Sequence, residues 1–169
     1  MGPKVTIRPA ISDDAPAILQ CLHIAFEPYR SFYSEQGFSD TVLTKETIHR
    51  RLADFQVLVA ATSSGEIVGT IAYSVQQAGK GHLRGMAVLP DRMGTGLAQS
   101  LLDASETELR KLGCDRITLD TTAPLQRAIR FYERNGYRRS NKVGDHFGMP
   151  LYEFVKTLPM GEVDYSGTI

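Results

Sequence analysis

Apolar and polar residues alternate along this chain at two periods, and the switches between them mark out its elements. Residues 5–8 alternate as a half-buried strand does, until Pro9, which has no N–H to donate. Ser12, Asp13 and Asp14 offer N-cap oxygens and negative charge to a helix with inner stripe Ile18, Leu19, Leu22, Ala25 and Phe26. Residues 27–40 lose the period and read as irregular and aromatic, and a second helix fits 41–53 with Val42, Ile48 and Leu52 inside. Three strands follow at 55–62, 67–75 and 82–89, joined by turns at Ser63-Ser64-Gly65 and around Gly79, the last ended by Pro90. Beyond Pro90 come a glycine-rich turn, a long helix 96–112, a strand 116–119, a helix 124–135 and closing strands near 137–143 and 148–156. An antiparallel start joined to a β-α-β-α half predicts an α/β (α+β) fold, a mixed sheet with helices on both faces.

Composition narrows the classes. At 169 residues, 42% hydrophobic and 22% charged, the chain fits one ordered domain, read as 1–158 with a polar, flexible tail at 159–169. Lys+Arg and Asp+Glu both number 19, so no net field holds a nucleic acid. Two cysteines, Cys21 and Cys114, suit reduced buried thiols rather than a disulfide framework. There is no signal-peptide core and no apolar run long enough to span a membrane, so the expected location is the cytoplasm. His23, His49, His82 and His146 are dispersed, without the spacing of metal ligands.

The strongest local signal is Met93-Gly94-Thr95-Gly96-Leu97-Ala98, between a strand and a helix. A P-loop would need Lys-Ser/Thr after its last glycine, and a dinucleotide fingerprint would need Gly or Ala where Gln99 stands. A main-chain pyrophosphate cradle remains, as does a tight turn that binds nothing. Gly94 and Gly96 would let the chain turn and a ligand approach, and successive N–H groups would meet an anion at the helix start. Leu97, Leu101, Leu102, Leu109 and Leu112 form the stripe of that helix, with Gly113 as its stop.

Residues 83–137 together resemble the GNAT N-acetyltransferase family: a strand ending Val88-Leu89-Pro90, the Gly-x-Gly loop, a helix, a strand, and then Ala128 through Phe131-Tyr132 to Gly136-Tyr137. Met93 stands where that loop usually opens with Arg or Gln, and Arg92 just upstream could supply the phosphate contact. Leu125 stands where the family often has Asn. The resemblance implies a mostly antiparallel sheet of six or seven strands, splayed in the middle, and acetyl-CoA as co-substrate without a metal. It implies coenzyme contacts at Met86, Ala87, Val88, Arg92, Met93, Gly94, Thr95, Gly96, Leu97, Ala98 and Tyr132. Backbone near Met86 and Val88 would pair with the pantetheine arm and polarise the acetyl carbonyl, and Tyr132 would act as general acid.

An alkylamine with pKa near ~10.4 must lose a proton to become a nucleophile, at about 4–5 kcal/mol near neutral pH. His82, where many relatives place a Glu, and Asp120 are both candidate bases. Tyr29, Phe32, Tyr33 and His146 are candidates for the acceptor wall, where relatives build theirs. The expected acceptor is a small-molecule primary amine, with a protein N-terminus or lysine as the alternative. A non-catalytic acyl-CoA-binding module is the rival of another class, and a homodimer is compatible with either.

Overall fold

A strand that is apolar at almost every position needs cover on both faces, and β2 (Gln56–Thr62) has it. Val57, Val59 and Ala61 point into one core, Leu58 and Ala60 into the other. The computed structural model describes residues 4–159; the polar tail expected at 159–169 lies, past Pro159, outside them. The strands β1 (Val5–Pro9), β2, β3 (Ile67–Gln77), β4 (Lys80–Val88), β5 (Arg116–Thr121), β6 (Arg138–His146) and β7 (Met149–Thr157) form one sheet of order β1-β2-β3-β4-β5-β7-β6. Every neighbouring pair is antiparallel except β4 and β5. This is the mixed sheet that the hydrophobic pattern predicted.

Helices cover both faces. One core gathers Ile18, Cys21 and Leu22 of α1 (Ala15–Phe26), Phe38 and Val42 of α2 (Glu35–Val42) and Ile48 of α3 (Lys45–Asp54). The other gathers Leu101, Leu102 and Leu109 of α4 (Leu97–Lys111) with Tyr132 of α5 (Gln126–Arg134). Both cysteines are free and buried, and burial pushes the Cys21 thiol up to about 12, which leaves it inert. Among the described residues no helix is long and apolar enough to cross a membrane.

Three local expectations need correction. Residues 27–40 are not irregular: Glu27–Phe32 is a 3₁₀ helix, and α2 follows, capped by Ser34, whose Oγ accepts the Gly37 N–H at 3.2 Å. The helix expected over 41–53 is split, because Leu43 takes a left-handed φ of 67° and Thr44 then caps α3, accepting the Thr47 N–H at 3.2 Å. Asp14 stands at the N-cap of α1, but its side chain accepts none of that helix's amides. Its carboxylate instead accepts the Ile11 N–H at 2.8 Å and pairs with Arg8 at 2.8 and 3.0 Å. Pro9 closes β1 opposite Leu58 on the sheet's edge, where a missing N–H is tolerated.

One buried ion pair ties the layers together. Lys156 Nζ of β7 donates to both carboxylate oxygens of Glu106 of α4, at 2.7 and 2.8 Å. Glu106 is buried, so removing the ammonium alone strands a desolvated charge, at a cost of about 3 kcal/mol. Lys156→Met should lower unfolding free energy in urea by roughly that amount, and Glu106→Met/Lys156→Met should recover most of it. A single variant as stable as the parent would show the pair to be solvated.

Candidate active site

The site begins where two strands part. β4 and β5 pair only from Lys80↔Arg116 to Leu83↔Leu119. On its other side β4 pairs Ala72↔Arg84 and Thr70↔Ala87, so Gly85 and Met86 bulge opposite the single residue Ile71. Gly85 takes a φ of +60°, which a side chain would strain. The bulge bends β4 away from β5 and leaves the main chain from Arg84 onward without a neighbour on that side. A cavity of about 570 Å³ opens there, reaching from the start of α4 and from α5 to the side chains of α1–α3.

At one end lies the glycine turn. A 3₁₀ turn, Pro90–Arg92, leads into Gly94 and Gly96, both left-handed at φ 78° and 86°. Nothing lies within 4 Å of where a Cβ would sit on either glycine, so the main chain is open to a ligand. The first bond of α4 is Ser100 N–H to Gly96 O at 3.0 Å, and the amides of Leu97, Ala98 and Gln99 have no carbonyl within the helix. No acidic residue occupies that first turn. An anion held there meets free amides and the positive end of a fifteen-residue helix. Arg92, Met93, Leu97 and Ala98 also line the cavity. Thr95 does not; its hydroxyl turns back to donate to the Arg92 carbonyl. Gln99 bridges to Asn135 at 2.8 Å and holds α5 against this end.

The middle is lined by Met86, Ala87 and Val88 of β4 and by Tyr132 of α5. Tyr132 is buried edge-on between Phe131 and Tyr137, with centroids 5.4 and 5.6 Å away. Burial raises its pKa, so the phenol keeps its proton at neutral pH.

The two candidate bases share a face but not the cavity. Asp120 lines it. His82 is buried one strand away, with Nδ1 hydrogen-bonded to Thr118 Oγ1 at 2.8 Å and Nε2 3.7 Å from Asp120 Oδ2. Desolvation pushes its pKa below the usual value, and the Asp120 carboxylate opposes that only in part.

At the other end stand Tyr29, Tyr33 and His146, while Phe32 is exposed and does not line this cavity. Tyr33 OH hydrogen-bonds with Thr122 Oγ1 at 2.8 Å, and burial raises its pKa. His146 Nε2 lies 3.2 Å from the Gly37 carbonyl, to which it donates, and 3.1 Å from Thr41 Oγ1. Asp40, Thr41, Arg51 and Thr122 also line this lobe and were not read from the sequence. They sit in α2, α3 and just past β5, and polar residues on helices there carry no signal beyond solvation.

A model described as Acetyltransferase (GNAT) family matches residues 18–137. Aminoalkylphosphonate N-acetyltransferase of Salmonella typhimurium is 29% identical over 147 residues, covering 82% of this chain and 88% of that protein. Mycothiol acetyltransferase of Propionibacterium freudenreichii is 29% identical over 133 residues, covering 74% of this chain and 40% of that protein. Two solved structures share the fold. PaiA N-acetyltransferase of Thermoplasma acidophilum, in complex with coenzyme A, aligns with a TM-score of 0.75 at 19% identity, over 91% of this chain and 99% of that one. A GNAT-family acetyltransferase of Staphylococcus aureus aligns at 0.76 and 18% identity, over 92% and 100%.

The His82 environment is open to direct measurement. Imidazole NMR should place its titration midpoint below 6.5. The unfolded chain then binds a proton that the folded one refuses, so stability is lost as pH falls through 6.5 toward the folded midpoint. His82→Gln should remove that part of the slope. A midpoint above 6.5 would mean that Asp120, not desolvation, governs the ring.

Proposed function

The chain belongs to the GNAT acetyltransferase family, and on that premise we propose that it transfers an acetyl group from acetyl-CoA directly to the primary amine of a small molecule. One observation carries the reading: the open amides at the start of α4 and the phenol of Tyr132 line the same cavity. The relative named for aminoalkylphosphonates supports a small acceptor.

Acetyl-CoA, when bound, supplies a thioester carbonyl as electrophile and a thiolate as leaving group. The amides of Leu97, Ala98 and Gln99, reached past Gly94 and Gly96, hold its diphosphate, with the Arg92 guanidinium alongside. The glycines fit this role because the space a Cβ would fill is empty at both. Main-chain groups of Met86–Val88, unpaired on the β5 side, receive the amide-bearing arm, and an N–H among them polarises the acyl oxygen.

The remaining chemistry is proton handling. Asp120 accepts a hydrogen bond from the incoming ammonium and takes its proton on toward solvent, with neutral His82 behind it as a second acceptor. The freed nitrogen forms the C–N bond as the C–S bond breaks. Tyr132 donates its hydroxyl to the sulfur. Its pKa is raised and lies above the ~8.5 of an ordinary thiol, so it first stabilises the developing charge as a hydrogen-bond donor; the proton it passes to the departing sulfur is restored by the second proton that the acylated nitrogen sheds.

Tyr132→Phe should lower kcat by about 10²-fold in an assay of coenzyme A thiol release, with coenzyme A affinity by calorimetry nearly unchanged. Equal losses in both would reduce Tyr132 to packing. Gly96→Val should do the reverse: it blocks the cradle and strains a φ of 86°, so affinity falls by about tenfold or more. Unchanged affinity would move the diphosphate elsewhere.

A further inference from the structure

We propose that Arg51 anchors an oxyanion on the acceptor, so that the amine this cavity takes carries a carboxylate or phosphonate besides its nitrogen. The proposal rests on the acetyl-transfer reading of the same cavity and names the substrate class.

Arg51 projects from α3 into the acceptor lobe. Among the described residues its guanidinium makes no hydrogen bond or ion pair, although the residue is half-buried, and it lies over the ring of Phe55 at 5.3 Å from the centroid. The neighbouring carboxylate, Asp40, is 3.5 Å from Arg84 Nη2, so Arg84 and not Arg51 holds it. Desolvation pushes the Arg51 pKa down to about 10, with the charge of Arg84 adding and that of Asp40 opposing. The side chain is therefore still charged at neutral pH. Its desolvation is offset only by the face of Phe55 and the charge of Asp40, with no carboxylate bound to it, the pattern expected of a group held for a ligand.

The main chain is shaped around it. A Cβ at Gly85 would lie 2.5 Å from Arg51 Nη1, and Gly85 forms the bulge that parts β4 from β5. The residue that opens the cavity therefore also admits the guanidinium to its wall. A planar fork of five donors matches a carboxylate or phosphonate in two-point contact. Asp120 reaches the cavity from β5, on the other side of β4 from the β2 strand that α3 packs against. A zwitterion thus meets an anion for its ammonium and a cation for its oxyanion.

The test is calorimetry on the full chain with coenzyme A present, using 3-aminopropylphosphonate, 4-aminobutyrate and butylamine. The two anionic amines should bind at least about tenfold more tightly than butylamine, and the stronger of the two identifies the oxyanion. Arg51→Gln should abolish that preference and Arg51→Lys should keep part of it. Arg51→Gln should also melt little below the parent, because no carboxylate is bound to the lost charge and only its contact with Phe55 is given up. Equal binding of all three amines, no binding of any, a preference that survives Arg51→Gln, or a large drop in melting temperature would each overturn the proposal. If the anionic amines bind through Arg51 but release no coenzyme A thiol from acetyl-CoA, the anchor stands and the transfer reading falls.

Discussion

Four rungs of parallel pairing hold β4 to β5, and the failure of a fifth determines what the rest of the molecule can do. Had the strands stayed together past Leu83 and Leu119, their main-chain groups would have satisfied one another and the space between them would be closed. The bulge at Gly85–Met86 prevents this, because two residues of β4 must fit opposite one of β3. The strand bends, its outer edge loses its neighbour, and the sheet acquires an opening lined by unpaired backbone. The start of α4 adds a second set of free amides next to it. A ligand with both an anionic end and an amide-bearing stem matches the two sets in order.

The polar groups around this opening are set by how dry they are. Burial keeps the Tyr132 phenol protonated and the His82 ring neutral, and it weakens the hold of Arg51 on its proton without removing it. The same desolvation thus fixes a donor, a potential acceptor and a fixed cation around one space. Asp120, more than a third exposed, remains the group in touch with both solvent and cavity. Lys156 meets Glu106 in a buried ion pair, whereas Arg51, over the ring of Phe55, has no carboxylate bound to it among the described residues.

Much of this could be read in advance where one physical cause dominates. Pro90, two glycines and a leucine stripe leave little choice but strand, tight turn and helix, and the burial of Leu97, Leu101, Leu102 and Leu109 follows that stripe, while Leu112, expected inside, is exposed at the C-cap. The seven strands were legible from alternation and turn residues. The lobe built by α2 and α3 was not. Gly37 lowers helix propensity in the first turn of α2, which hides Ser34 as its cap, and nothing in Thr41-Val42-Leu43-Thr44 announces that Leu43 adopts a positive φ. Arg51 sits beside Arg50 on a polar helix face. Only the fold distinguishes the one that enters the cavity. His82 and Asp120 were equivalent on paper, and the order of the strands puts one in front of the other.

The account depends on unpaired backbone at two places serving one ligand. Amide hydrogen exchange with and without coenzyme A measures this residue by residue. Binding should slow exchange at 94–99 and at 84–88 together, by about tenfold or more, and leave the amides of α1 as they were. Protection confined to one of the two segments, or to neither, would contradict it.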